Sequence, residues 1–378
     1  MRQTIASARR IVVKVGSSSL TSRAGGLDRE RVAALAAVLA ARHASTEVVL
    51  VSSGAIAAGL APLGLPRRPA DLASAQAAAS VGQGLLMSAY HDSFAHFDIT
   101  VGQVLLTADD IARRAHYRNA RQALLRLLAL RVIPIINEND AVATAEITVG
   151  DNDRLAALVT HLVEAQALIM LSDVDALYDS DPTRGGRRVP VVTEPSRLSG
   201  LQIGGSGSAG VGRGGMRTKV AAAAIAGAAG IPVLLAGSGD AAAALDGQDV
   251  GTVFCPPVAN RVRRSPRTLW LEHASDPVGR LWCDDGAVEA LQHRGASLLP
   301  AGVVRVEGRF LAGDAVDVCT TAGVPIARGL VGFDSGEIPP MLGRSMQQVA
   351  EQRGAAGLRV LIHRDDLVLL GEPPTLGV

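Results

Sequence analysis

RVIPIINENDAVAT, residues 131–144, runs from an almost unbroken apolar stretch straight into Asn137, Glu138, Asn139 and Asp140. A short β-branched run without alternation reads as a strand covered on both faces, and the polar cluster at its end marks an opening rather than more core. The same texture recurs outward in both directions. IVVKVG (11–16), EVVLVSSG (47–54), DITVGQVLLT (98–107), ALIMLSD (167–173) and IPVLLAG (231–237) read as further strands with polar or glycine-rich ends. Between them, alanine- and leucine-rich stretches near 28–43, 71–95, 109–130, 152–165 and 215–229 carry helical spacing. Strands joined by crossover helices predict an α/β fold with a mainly parallel sheet, whose ligands bind beyond the strands' carboxyl ends.

After residue 257 the texture changes. Residues 258–275 open with Arg261, Arg263, Arg264, Pro266 and Arg267, the composition of a linker. RTLWLEHA (267–274), GVVRVEGRF (302–310), AVDVCT (315–320) and LRVLIH (358–363) then predict short strands, with one helix near 285–294. The expected division is a catalytic domain over 1–257, a linker and start of the tail over 258–275, and a small β-rich barrel over 276–370.

A length of 378 residues with 48% hydrophobic and 19% charged residues suits about two domains. The formal net charge of +1 supplies no field able to hold nucleic acid or an anionic membrane. Residues 268–378 carry nine arginines against fourteen acids, a net of 9 − 14 = −5, which argues against phosphate contacts in the tail. No apolar stretch has the length of a membrane span or a signal-peptide core. Cys255, Cys283 and Cys319 form no CxxC pair, so neither a disulfide framework nor a zinc site is expected, and a cytoplasmic location is.

Of the 37 basic residues, 35 are arginine and two are lysine, Lys14 and Lys219, each beside a glycine-rich turn. Those positions need what arginine lacks, a compact ammonium on a flexible stem. KVGSSSLT (14–21) puts Lys14 at the end of the first strand before amide groups suited to phosphate, although a polar turn reads the same way. SSGA (52–55) offers Ser53 and its neighbours to a substrate carboxylate, or is ordinary turn chemistry. In NENDAVAT (137–144) and VGDNDRLA (149–156), Asp140 can hold a substrate ammonium, Asn152 can donate to its carboxylate, and Asp153 can orient the two lysines; Asp151 or Asn152 is equally a helix cap. LSDVDALY (171–178) contributes Ser172 and Asp173, and GRGGMRTK (212–219) runs from glycines into a helix start with Thr218 and Lys219. Two lysines, glycine amides and an orienting aspartate neutralise a phosphoryl group in transit, and a carboxylate acceptor, already ionised, needs no general base.

In order along the chain, VVKVGSSSLT, VSSGAIAAG, PIINENDAVAT, VGDNDRLAALV, LSDVDALY and GGMRTK resemble the amino acid kinase superfamily, and within it the glutamate 5-kinase family. The resemblance implies a three-layer αβα sandwich followed by a PUA-like domain. It further implies phosphorylation of the L-glutamate side chain by ATP with Mg2+ bridging phosphates, proline as feedback inhibitor, and a homo-oligomer, dimer or tetramer. By the family's motifs Lys14, Lys219 and Asp153 would be catalytic. Ser53, Asp140 and Asn152 would bind glutamate; Lys14, Ser172, Asp173, Arg213, Gly214, Gly215, Met216, Arg217, Thr218 and Lys219 would bind ATP; no protein metal ligand is implied. Two positions depart from the family pattern: Arg213 within the glycine loop, and Ala176 where a glycine is usual. An acetylglutamate kinase or aspartokinase is the nearest rival reading, and an RNA-binding protein the rival from another class.

Overall fold

The computed structural model describes the chain outside residues 23–25, 108–109, 112–113, 143–151, 194–214, 258–270, 272–276, 354–358 and 371–378. The chain divides into two compact units, Met1–Pro266 and Arg267–Val378.

In the first unit eight strands form one sheet: β1 (Arg10–Val15), β2 (Glu47–Ser52), β3 (Val101–Leu106), β4 (Ile133–Glu138), β5 (Ala167–Ser172), β6 (Val191–Val192), β7 (Val233–Gly237) and β8 (Thr252–Phe254). Their order is β3-β4-β2-β1-β5-β7-β8-β6. Every pairing is parallel except β7 with β8, where the chain doubles back near the sheet's margin after passing through α9. All residues of β4 and β5 are buried, as unalternating sequences require. The helices are α1 (Arg2–Ala6), α2 (Ser17–Leu20), α3 (Arg29–His43), α4 (Ala55–Leu60), α5 (Leu72–Ala95), α6 (Arg114–Ala129), α7 (Asn152–Leu162), α8 (Met216–Ala228) and α9 (Ala241–Leu245). Asp28 and Asp71 cap α3 and α5 by accepting from the amides of Arg31 and Ser74.

Alternation along β1 sorts the two faces of the sheet. Ile11, Val13 and Val15 enter a core with Leu35 and Leu39 of α3, Leu86, Tyr90 and Phe94 of α5, and Leu245 of α9. Lys14 therefore faces the other way, toward the side where α7 packs on β1 and β5 and α8 packs on α7. Near the sheet, α4 and α5 touch backbone to backbone. A Cβ added to Gly59 would stand 1.9 Å from Ala78 O, and one added to Gly82 would stand 1.8 Å from Ala55 O. Only glycine admits that approach, and it sets the start of α5's second half beside the turn that follows β2.

In the second unit β9 (Gly279–Cys283), β10 (Val303–Gly308), β11 (Ala315–Thr320), β12 (Pro325–Leu330) and β13 (Leu367–Leu369) form a sheet of order β10-β9-β11-β12-β13. Helix α10 (Asp285–Arg294) falls where the sequence predicts it, capped by Asp284 and stopped by Gly295 at φ 58°; α11 (Met346–Arg353) follows later in the unit. Two strand expectations need correction. Of 358–363, residues 359–363 are described and form no ladder strand: Leu361 and Ile362 are both wholly buried, so the chain does not alternate, and Leu298 takes up their backbone groups at an isolated bridge. Of 267–274 only Leu271 is described, and it is helical, because a short apolar run carries no period that separates the two states. Cys255, Cys283 and Cys319 are free thiols. Among the described residues no helix is long and apolar enough to cross a membrane.

Candidate active site

Register brings three strand ends together. Val15 lies opposite both Ser52 of β2 and Leu171 of β5, and Ser172 lies opposite Gly237 of β7. The topology also reverses here, since β1 runs on to β2 on one side and has β5 on the other. The Ser53 amide donates to Val15 O and the Gly16 amide to Leu171 O, which ties the turns to the sheet. Gly54, at φ 106°, then swings the chain into α4.

Lys14, Asp153 and Lys219 come from β1, α7 and α8 and converge. Lys14 Nζ is 2.5 Å from Asp153 Oδ1 and Lys219 Nζ is 3.3 Å from Oδ2. Thr218 Oγ1 lies 2.8 Å from Asp153 Oδ2 and equally close to Gly215 O, which holds the first turn of α8 against the carboxylate. The three charged residues are 5%, 1% and 4% exposed. Burial alone pushes the Asp153 carboxyl upward, but the ammonium groups of Lys14 and then Lys219, with hydrogen bonds from Lys14 and Thr218, outweigh it and hold the group well below the usual carboxylate range. Asp153 is thus an anion whose geometry fixes two cations at the end of β1.

A chain of neutral groups lies beside it, because Asn152 directly precedes Asp153 in the first turn of α7. Asn152 Nδ2 donates to Ser53 Oγ at 3.0 Å and to Asn137 Oδ1 at 3.1 Å. Asn137 Oδ1 also accepts from the Glu138 amide at 2.9 Å, and Asn137 Nδ2 donates to Gln83 Oε1 at 2.7 Å. Both donor hydrogens of Asn152, which the sequence assigned to a substrate carboxylate, are taken up inside the protein. Ser52 is wholly buried and meets the hydroxyl of Tyr90 at 2.9 Å.

Among the described residues, Asp140 makes no hydrogen bond to either group. It is half-buried just beyond β4; burial pushes its carboxyl up and the charge of Arg68 partly opposes this. On the other side, Ser172 Oγ donates to Asp173 Oδ1 at 3.0 Å at the end of β5, and Asp173 is exposed. Gly215 caps α8; Met216 and Arg217 lie in its first turn, with Arg217 exposed. Asp151, Arg213 and Gly214 lie outside the described residues. The sequence reading missed Gln83 and Tyr90, both on a helix whose small-residue composition carries no signal of a site.

A model of the amino acid kinase family matches residues 9–237, and a PUA domain model matches residues 279–351. The chain belongs to the amino acid kinase family. Its relatives there are glutamate 5-kinases: that of Streptomyces coelicolor is 60% identical over 371 residues, covering 98% of both chains. That of Streptomyces avermitilis is 59% identical, again covering 98% of both, and that of Salinispora arenicola is 58% identical, covering 98% of this chain and all of its own.

Proposed function

We propose that this chain phosphorylates the side-chain carboxylate of L-glutamate at the expense of ATP, giving L-glutamyl 5-phosphate and ADP, the first step from glutamate toward proline. The observation that carries the reading is the first turn of α7. Asp153 gathers two buried ammonium groups while Asn152, next to it, enters the amide chain with Ser53, so a phosphoryl site and an acceptor site share one helix end. Relatives named glutamate 5-kinase over essentially the whole length support glutamate as the acceptor.

In the reaction a carboxylate oxygen of glutamate forms a bond to the γ-phosphorus, and the bond to the β,γ-bridging oxygen breaks, its electron pair leaving with ADP. No proton moves, because the nucleophile is ionised at neutral pH. Lys14 and Lys219 face the equatorial and bridging oxygens as charge migrates toward ADP, and Asp153 keeps both ammonium groups in place. Ser53 and Asp140 hold glutamate, and Asn152, its donors spent on Ser53 and Asn137, serves the acceptor pocket by holding Ser53; Ser172, Asp173 and the run 213–219 serve the nucleotide. Mg2+, when bound with the ATP phosphates, would supply neutralising charge there. Among the described residues no cluster of three carboxylate, histidine or cysteine groups offers it a protein site. The reading extends to proline as feedback inhibitor and a homo-oligomer of two or four copies, both supported by the family resemblance, and to a cytoplasmic setting, supported by three cysteines that form no CxxC pair.

The test is ATP consumption with L-glutamate and Mg2+, trapping the acyl phosphate with hydroxylamine. Hydroxamate formation suppressed by proline is the expected result. ATP loss only with N-acetylglutamate or aspartate would overturn the choice of acceptor.

A further inference from the structure

An amide side chain is a donor at one end and an acceptor at the other, so a row of them has a direction, and something must set it. In the row Gln83, Asn137, Asn152, Ser53 the direction is set by the backbone. The Glu138 N–H can only donate, so the Asn137 atom 2.9 Å from it is Oδ1. Asn137 must then turn Nδ2 away, and its target is Gln83 Oε1 at 2.7 Å. Asn137 Oδ1 also requires a donor from Asn152, and the second hydrogen of that same Nδ2 reaches Ser53 Oγ. Ser53 Oγ is an acceptor in this row, which leaves its own hydrogen to donate outward.

The arrangement is held against a local cost. Asn152 Oδ1 and Gln83 Nε2 are buried and, among the described residues, meet no hydrogen-bond partner. A freely rotating Asn152 would turn its acceptor toward a donor; the row prevents that turn. Gln83 is the far anchor. Without an acceptor at its position, the buried Asn137 Nδ2 group loses its partner, and the Glu138 amide alone is left to hold Asn137 aligned.

We infer that Gln83 is a positioning residue for the acceptor pocket: with the Glu138 amide it sets the polarity of the row so that Ser53 presents a hydrogen, not a lone pair, to the substrate carboxylate. The inference rests on glutamate being the acceptor. Gln83 touches no reacting atom, so its effect belongs in the KM for glutamate and not in turnover or in the KM for ATP.

Two variants separate this role from simple packing. Gln83→Met keeps the volume and removes the acceptor; Gln83→Glu keeps an acceptor oxygen and adds a charge. The expected result for Q83M is a glutamate KM raised about tenfold, with kcat within about threefold and the ATP KM unchanged. Q83E stays within about threefold of wild type in all three. A packing role predicts the reverse order, with Q83M harmless and the buried charge of Q83E damaging, and that order would overturn the inference. Should Q83M not fold, Q83E decides alone: a glutamate KM raised about tenfold or more despite the retained acceptor overturns it. A wild-type enzyme inactive on glutamate would instead sink the proposed acceptor, an outcome visible before any variant is made.

Discussion

Lys14, Asp153 and Lys219 carry formal charge and sit almost wholly out of water, whereas Ser53, Asn152, Asn137 and Gln83, joined to them through the neighbouring position on α7, carry none. The charged group is held by ion pairs of 2.5 and 3.3 Å, while the neutral row tolerates two buried polar atoms with no partner among the described residues. The difference follows from desolvation. Stranding a buried charge is far dearer than stranding an amide oxygen, so the phosphoryl end must be satisfied before substrate arrives. The acceptor end can carry unmet polarity and fix its direction instead.

The sharpest way to break this contrast is Asp153→Ala, which leaves both ammonium groups buried without their shared carboxylate. Urea unfolding should show a loss on the order of 3–5 kcal/mol, together with loss of turnover. The pH dependence has a definite sign. The Asp153 carboxyl titrates below its unfolded value, so its contribution is complete above about pH 4, the unfolded Asp value, and is lost as pH falls further toward the folded one. The acid limb of the stability profile should therefore flatten in the alanine variant.

Next in size are Lys14→Arg and Lys219→Arg. Each keeps the charge but replaces a compact ammonium by a planar fork, and kcat should fall on the order of 100-fold while the thermal midpoint stays close to wild type. Near-normal turnover in either would remove the case for lysine at that position. The smallest effect is Ser53→Ala, which removes a single neutral donor; the glutamate KM should rise roughly tenfold with kcat little changed. A larger effect on kcat than on KM would place Ser53 with the lysines and dissolve the division.

Much of this is legible in the sequence. The apolar runs that end in polar residues name the strands and the side of the sheet that carries the site, and the two lysines among 35 arginines single out Lys14 and Lys219. Their common partner Asp153 was legible as a dense acidic motif. Gln83 was not, because its role comes from the crossing of α4 and α5 at Gly59 and Gly82, a contact between backbones that no side-chain pattern announces. Nor was the direction of the amide row, which depends on one backbone N–H. In the second unit Leu361 and Ile362 resemble half of a strand in sequence, and both turn inward in space.

The Lys14–Asp153–Lys219 contact also bears on how the chain is made. Its members come from the first strand, the middle of the unit and a helix near its end, so a ribosome has released β1 and α7 well before α8 exists. Until α8 arrives, seating α7 on the sheet buries Asp153 with only one of its two cations, which penalises early docking. The ion cluster thus joins three distant stretches of the first unit, and a chain truncated before the segment carrying Lys219 lacks one of the two cations that Asp153 holds.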